Sequence, residues 1–254
     1  MTKKAVIYSI TRRCLVEFVG DMLFVCIGTL QANSGAGVMG AAVAHGIGIA
    51  VLIMTMGHIS GGHYNPAVTL AVLISGGIEI LDAVLYVISQ LLGGVVGAFL
   101  ARGCVTAEIY EKILAGATLP AADTTAGSGI LMEIILTFVL VQTILCTAVD
   151  TDNNLLAPIA IGTAIMVDIL AGGAITGASM NPARSFGPAV VGSVFGLQDK
   201  VWTLHYIYYI GTCIGAVLAA LIYKCFWARD DARWLLKDAA ADTSSDEYNA
   251  NEKQ

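Results

Sequence analysis

The sequence predicts an all-α membrane protein with six transmembrane helices and two re-entrant half-helices, arranged as an inverted repeat. Three observations carry that prediction. The 254 residues are 57% hydrophobic and only 13% charged, where a soluble domain carries about a quarter charged residues. Six apolar runs have the length a bilayer demands, roughly 20 residues at about 1.5 Å each. Two Asn-Pro-Ala tripeptides, Asn65 to Ala67 and Asn181 to Ala183, interrupt otherwise apolar sequence after glycine-rich stretches.

The apolar runs lie near residues 14–32, 38–56, 81–101, 130–149, 158–173 and 204–226. The fifth is the shortest and is expected to extend at both ends. Nine of the 13 Lys and Arg fall in the two terminal segments, among them Lys3, Arg12, Arg13, Lys224 and Arg229. An even number of spans puts both termini on one side, and the positive-inside rule makes that side cytoplasmic. The basic start leads straight into a long apolar run, as a retained first span does. Seven of the 19 acids lie between Asp230 and Glu252, so the net charge of −6 describes a polar tail rather than a partner surface. That tail reads as solvated and disordered. The six cysteines are scattered through spans without a CxxC pair, which argues against a disulfide or metal framework.

The repeat follows from spacing. Asn65 and Asn181 are 116 residues apart, and so are two intramembrane acids, Glu17 and Glu133. "GGVVGAFLA" from Gly93 matches "GTCIGAVLA" from Gly211, and these glycine pairs read as close-packing helix faces. Each half holds three spans, so the halves insert in opposite directions and meet at the midplane.

The segments after each tripeptide, "AVTLAVLI" and "ARSFGPAVV", are too short to cross. Asn is a preferred N-cap and Pro suits the first helical position. Capping fixes Asn65 and Asn181 and leaves their amide donors pointing away from the half-helices. Inverted symmetry brings the two donors together, with two positive helix ends behind them. Irregular backbone at that depth must be buried or line a water-filled cavity. The expected product is a narrow pore that donates hydrogen bonds at its centre and repels cations.

"SGGHYNPAV" and "TGASMNPARSFGPA", with Glu17 and Glu133, closely resemble the aquaporin (major intrinsic protein) family over roughly residues 12 to 227. The resemblance implies a cytoplasmic N-terminus (1–12), a channel domain (13–227) and a cytoplasmic tail (228–254). It places repeat one near 13–101 and repeat two near 129–227. It further implies one pore per subunit and a homotetramer in a lipid bilayer; plasma membrane is taken as the default location. No cofactor, metal or nucleic acid is expected, and no nucleophile–base arrangement suggests an enzyme.

By resemblance, Asn65, Pro66, Ala67, Asn181, Pro182 and Ala183 form the pore motifs, and Glu17 and Glu133 support the loops by accepting backbone N–H groups. A second, outer constriction falls on His45, Ile169, Ala178 and Arg184. An intramembrane guanidinium beside a half-helix start marks a functional position in its own right. Strict water channels of the family usually carry an aromatic on the second span and a histidine on the fifth. The ring here resembles that of members passing ammonia and hydrogen peroxide besides water. Glycerol-conducting relatives generally carry Asp after the arginine, where this chain has Ser185, followed by Ala189 and the pair Tyr208 and Tyr209. Many relatives place a mercury-sensitive cysteine where this chain has Ala178.

His63 is a candidate for the inner pore wall. Asp21 and Asp168 depart from the family pattern; the sharper reading of Asp168 is that it tunes the filter's charge or the protonation of His45. The function expected is passive conduction of water, ammonia and hydrogen peroxide without protons or ions. The alternatives are a channel for glycerol and other small neutral solutes, a secondary active transporter, and an adhesive protein with a closed pore.

Overall fold

The computed structural model describes residues 3–151, 154–229 and 232–235. The segment 236–254, which holds most of the expected tail, lies outside the described residues. Five long helices match the expected spans: α1 (Lys3–Gln31), α2 (Gly37–Ser60), then α4 (Ile80–Cys104), α6 (Ala126–Ile144) and α10 (Ile207–Ile222). The last two continue as π-helical turns, Leu145–Val149 and Tyr223–Trp227, which gives them membrane-crossing length. Between them fall the half-helices α3 (Pro66–Ser75) and α8 (Pro182–Val194), the short surface helices α5 (Ala107–Lys112) and α9 (Gln198–Val201), and α7 (Ala157–Gly172).

The fifth span does not extend as expected. α7 has 16 residues, about 24 Å at 1.5 Å per residue, against a hydrocarbon core of about 30 Å. Pro158 sits in its first turn. At the other end Ile175 N–H and Thr176 N–H both bond to the Gly172 carbonyl, which turns the chain toward the second Asn-Pro-Ala loop. α7 stops there because its next residues are needed in that loop. Residues 228–229 and 232–235 also differ from a free tail. Ala228 is buried, Trp234 N–H bonds to the Lys224 carbonyl at 2.7 Å, and the Lys224 ammonium lies over the Trp234 ring.

Helix packing follows the repeat. α1 lies against α4 and, in the second half, α6 lies against α10. The matched glycines make these approaches possible. A Cβ at Gly93 or Gly97 meets the backbone of Phe18 or Met22, and one at Gly211 or Gly215 meets the backbone of Ile130 or Ile134. Across the halves, α2 packs on α7 through Gly46 and Gly162, each of which faces the other's carbonyl. Many large apolar side chains stay exposed on the outer faces, including Ile47, Leu92, Leu131 and Val167, as lipid-facing surfaces require.

His205 lies just before α10, outside the span. Its ring stands edge-on to Trp202, Tyr208 and Tyr209 and is 3% exposed. Burial holds its pKa down, to about 4 from 6.5. A depressed folded value favours the neutral imidazole, so its contribution to stability is full above pH 6.5 and is lost as pH falls through about 4. In detergent, the wild-type Tm is expected to drop more than that of His205→Gln between pH 6.5 and 4. Parallel curves would contradict this assignment.

Candidate pore

Each half-helix starts at an asparagine in extended conformation. The Asn65 Oδ1 accepts from the N–H groups of Ala67 and Val68 at 2.8 and 3.4 Å, and the Asn181 Oδ1 accepts from Ala183 and Arg184 at 2.9 and 3.2 Å. Pro66 and Pro182 occupy the first helical positions. The side-chain nitrogens then cross: Asn65 Nδ2 donates to the Met180 carbonyl and Asn181 Nδ2 to the Tyr64 carbonyl, both at 2.8 Å. The two capped ends are thereby joined directly.

The crossing depends on backbone that the residue types do not favour. Tyr64 and Met180, each just before its asparagine and 116 residues apart, have φ of 43° and 54°. A left-handed conformation costs a non-glycine residue roughly 1–2 kcal/mol. Here it turns each carbonyl toward the opposite asparagine, and the surrounding bonds hold it there.

Those bonds come from the two glutamates. Glu17 accepts from the Ser60 hydroxyl at 2.6 Å, from the backbone N–H groups of His63 and Tyr64 at 3.1 and 2.7 Å, and from Gln90 Nε2 at 2.8 Å. Glu133 accepts from the Thr176 hydroxyl at 2.7 Å and from the N–H groups of Ser179 and Met180 at 2.9 Å each. Both carboxyls are fully buried. Two tyrosines brace the same loops from outside, Tyr86 on the Ser60 carbonyl and Tyr208 on the Thr176 carbonyl.

Both asparagines face a continuous cavity of about 530 Å³. Its wall carries His45, Ile169, Ala178 and Arg184, and also His63, Thr147 and Asn154. Arg184 Nε donates to His45 Nε2 at 3.3 Å and its Nη1 to the Gly116 carbonyl at 3.0 Å. His45 Nδ1 lies 2.8 Å from the Ala41 carbonyl. A neutral imidazole protonated on Nδ1 satisfies both contacts. His63 Nδ1 is 3.1 Å from the Thr69 hydroxyl. Among the described residues, no group of three His, Cys, Asp or Glu is placed to hold a metal ion.

The sharper reading of Asp168 does not fit this geometry. Its neighbour Ile169 faces the cavity, whereas Asp168 is turned a third of a helical turn away, beside Glu133, and is not a partner of His45. One residue along a helix rotates a side chain by about 100°, so adjacency in sequence separates the two. Other contributors went unread in the sequence: the carbonyls of Tyr64, Met180 and Gly116, and the amide of Gln90. Ser60 and Thr176 had a signal, being hydroxyl residues 116 apart, each five before its asparagine.

Comparison with known proteins points to one family. The model of the family described as Major intrinsic protein matches residues 4–223. Aquaporin-8 of Mus musculus is 38% identical over 229 residues, covering 88% of this chain and 85% of its own. Aquaporin TIP1-1 of Arabidopsis thaliana is 40% identical over 234 residues, covering 85% of this chain and 87% of its own. Among solved structures, an aquaglyceroporin from Plasmodium falciparum superposes with a TM-score of 0.75 at 21% identity, over 84% of this chain and 95% of that one, which shows the shared fold. The chain is a multi-pass integral membrane protein and belongs to the major intrinsic protein family, whose aquaporins are channels rather than enzymes.

Proposed function

We propose that each chain encloses a passive pore for water, ammonia and hydrogen peroxide that rejects protons and ions. The observation that carries this reading is the pair of crossed asparagines at the centre of a continuous cavity. Each amide spends one hydrogen on the opposite loop, and an amide nitrogen carries two. Donor capacity left over at the pair faces the permeant. A water oxygen that accepts there turns its own hydrogens away from the centre, which breaks the chain along which a proton hops. The positive ends of α3 and α8 oppose cations at the same point.

At the filter, His45, Ile169, Ala178 and Arg184 act as the selecting ring. Arg184 spends two of its five N–H donors, one from Nε on His45 and one from Nη1 on Gly116, so the second Nη1 hydrogen and both Nη2 hydrogens are left for a small polar solute. Ile169 and Ala178 offer no hydrogen bond, which leaves an opening polar on one side and apolar on the other. Glu17 and Glu133 act as loop supports, and His63 lines the inner half. Residues 13–227 form the channel domain. Four chains assemble into a tetramer, with both termini cytoplasmic, in the plasma membrane.

The test is a panel of single-solute gradients across vesicles carrying the purified protein. Water, ammonia and hydrogen peroxide are expected to cross faster than in empty vesicles, each following its own gradient alone. Flux that requires a sodium or proton gradient would identify a coupled transporter instead. Mercury gives a separate check, because none of the six cysteines lines the cavity. Mercuric chloride is expected to leave water flux essentially unchanged; strong block would mean that a cysteine reaches the pore.

A further inference from the structure

Glu17, Asp21 and Val25 are spaced four residues apart on α1 and form one stripe. Both ends of the stripe are fixed. Glu17 takes the Gln90 amide, and Val25 lies beside Gly94, whose missing side chain leaves room for the Ala183 carbonyl. Asp21 falls between them, level with the second Asn-Pro-Ala motif. It is fully buried, next to the Glu17 carboxyl and the Asn181 carboxamide. Neither of its oxygens has a donor in good hydrogen-bonding geometry.

A buried acceptor left unpaired is costly, and a carboxyl keeps an acceptor oxygen in either protonation state. The adjacent donor is the Asn181 amide, which uses one hydrogen on Tyr64 and holds a second. The repeat sharpens the point. The residue 116 positions after Asp21 is Thr137, also fully buried, with its hydroxyl unpartnered. The first repeat thus carries an acid where the second carries a neutral hydroxyl.

We propose that Asp21 is a positioning residue of the pore centre: it takes the second amide hydrogen of Asn181, so that Asn65 alone offers a free N–H to the permeating molecule. The proposal rests on the pore reading above and makes the centre asymmetric despite its symmetric motifs. A permeant oxygen is then held from one side by one donor.

The test uses protein labelled with ¹⁵N-asparagine in lipid bilayers, with magnetisation transfer from water to the side-chain amides read by solid-state NMR. In wild type, one Asn65 amide hydrogen is expected to receive transfer and neither Asn181 hydrogen. Asp21→Val removes every side-chain acceptor at a similar size, and one Asn181 hydrogen is then expected to gain the signal while Asn65 is unchanged. Asp21→Asn keeps an acceptor oxygen at nearly equal volume and is expected to retain the wild-type pattern. Equal water transfer to Asn181 and Asn65 in wild type overturns the proposal, and so does an Asp21→Val spectrum identical to wild type. The wild-type spectrum decides by itself if a variant is not recovered. Osmotic shrinkage of the same vesicles reports separately on conduction: no acceleration over empty vesicles defeats the pore reading, whereas the amide pattern stands or falls independently.

Discussion

Glu17→Ala is expected to abolish conduction and to destabilise the protein severely. The substitution strips an acceptor from four donors at once: the Ser60 hydroxyl, two backbone N–H groups and the Gln90 amide. Each orphaned donor costs about 1–3 kcal/mol, so even the low end approaches the whole stability of many domains. The damage is also local in a way that matters for function. Tyr64 holds a left-handed backbone, and its N–H bond to Glu17 is one of the contacts keeping it there. With that contact gone the Tyr64 carbonyl no longer faces Asn181, and the crossed pair opens. Vesicles carrying the recovered variant are expected to shrink at the rate of empty ones. Glu133→Ala, which orphans three donors, follows the same logic in the other half. A Glu17→Ala protein with wild-type flux would show that the loops stand without their carboxylate.

Arg184→Ala is expected to change selectivity rather than fold. Arg184 faces the cavity, and among the described residues its side chain bonds to His45 and Gly116. Removing it takes away a positive charge and widens the ring around Ile169 and Ala178. A barrier lowered by about 1.4 kcal/mol is a tenfold change in rate, and glycerol flux is expected to rise by about that factor while water flux is retained. Cation leak is expected to become measurable, because the charge opposing it is gone. Isotope uptake by vesicles measures glycerol, and a membrane-potential dye measures the leak. Unchanged selectivity would place the filter elsewhere along the cavity.

The parts of this architecture that were legible in the sequence are those governed by local chemistry or by spacing. An asparagine before a proline caps a helix wherever it stands, so the half-helix starts at Pro66 and Pro182 could be read without coordinates. The shared interval of 116 residues tied Glu17 to Glu133 and Asn65 to Asn181, which required opposed halves. Matched glycines at 93, 97, 211 and 215 marked the close helix contacts, because only they admit backbone there.

What the sequence left unread depends on tertiary placement of backbone. Nothing in a tyrosine or methionine announces φ near +50°, yet Tyr64 and Met180 supply the carbonyls that join the two asparagines. The Gly116 carbonyl reaches Arg184 only because the chain turns inward after α5. α7 was expected to extend because apolar residues such as Ala174 and Ile175 continue its pattern, although they belong to the descending loop. Asp168 misled for a similar reason, since neighbours in sequence face different directions on a helix.

The most direct measurement is stopped-flow osmotic shock of vesicles reconstituted with the purified protein, with a pH-sensitive dye trapped inside. If two carboxamides meet in a single water file, these vesicles shrink many times faster than protein-free ones while an imposed pH gradient persists. Shrinkage no faster than in protein-free vesicles, or rapid collapse of the gradient, would contradict the account.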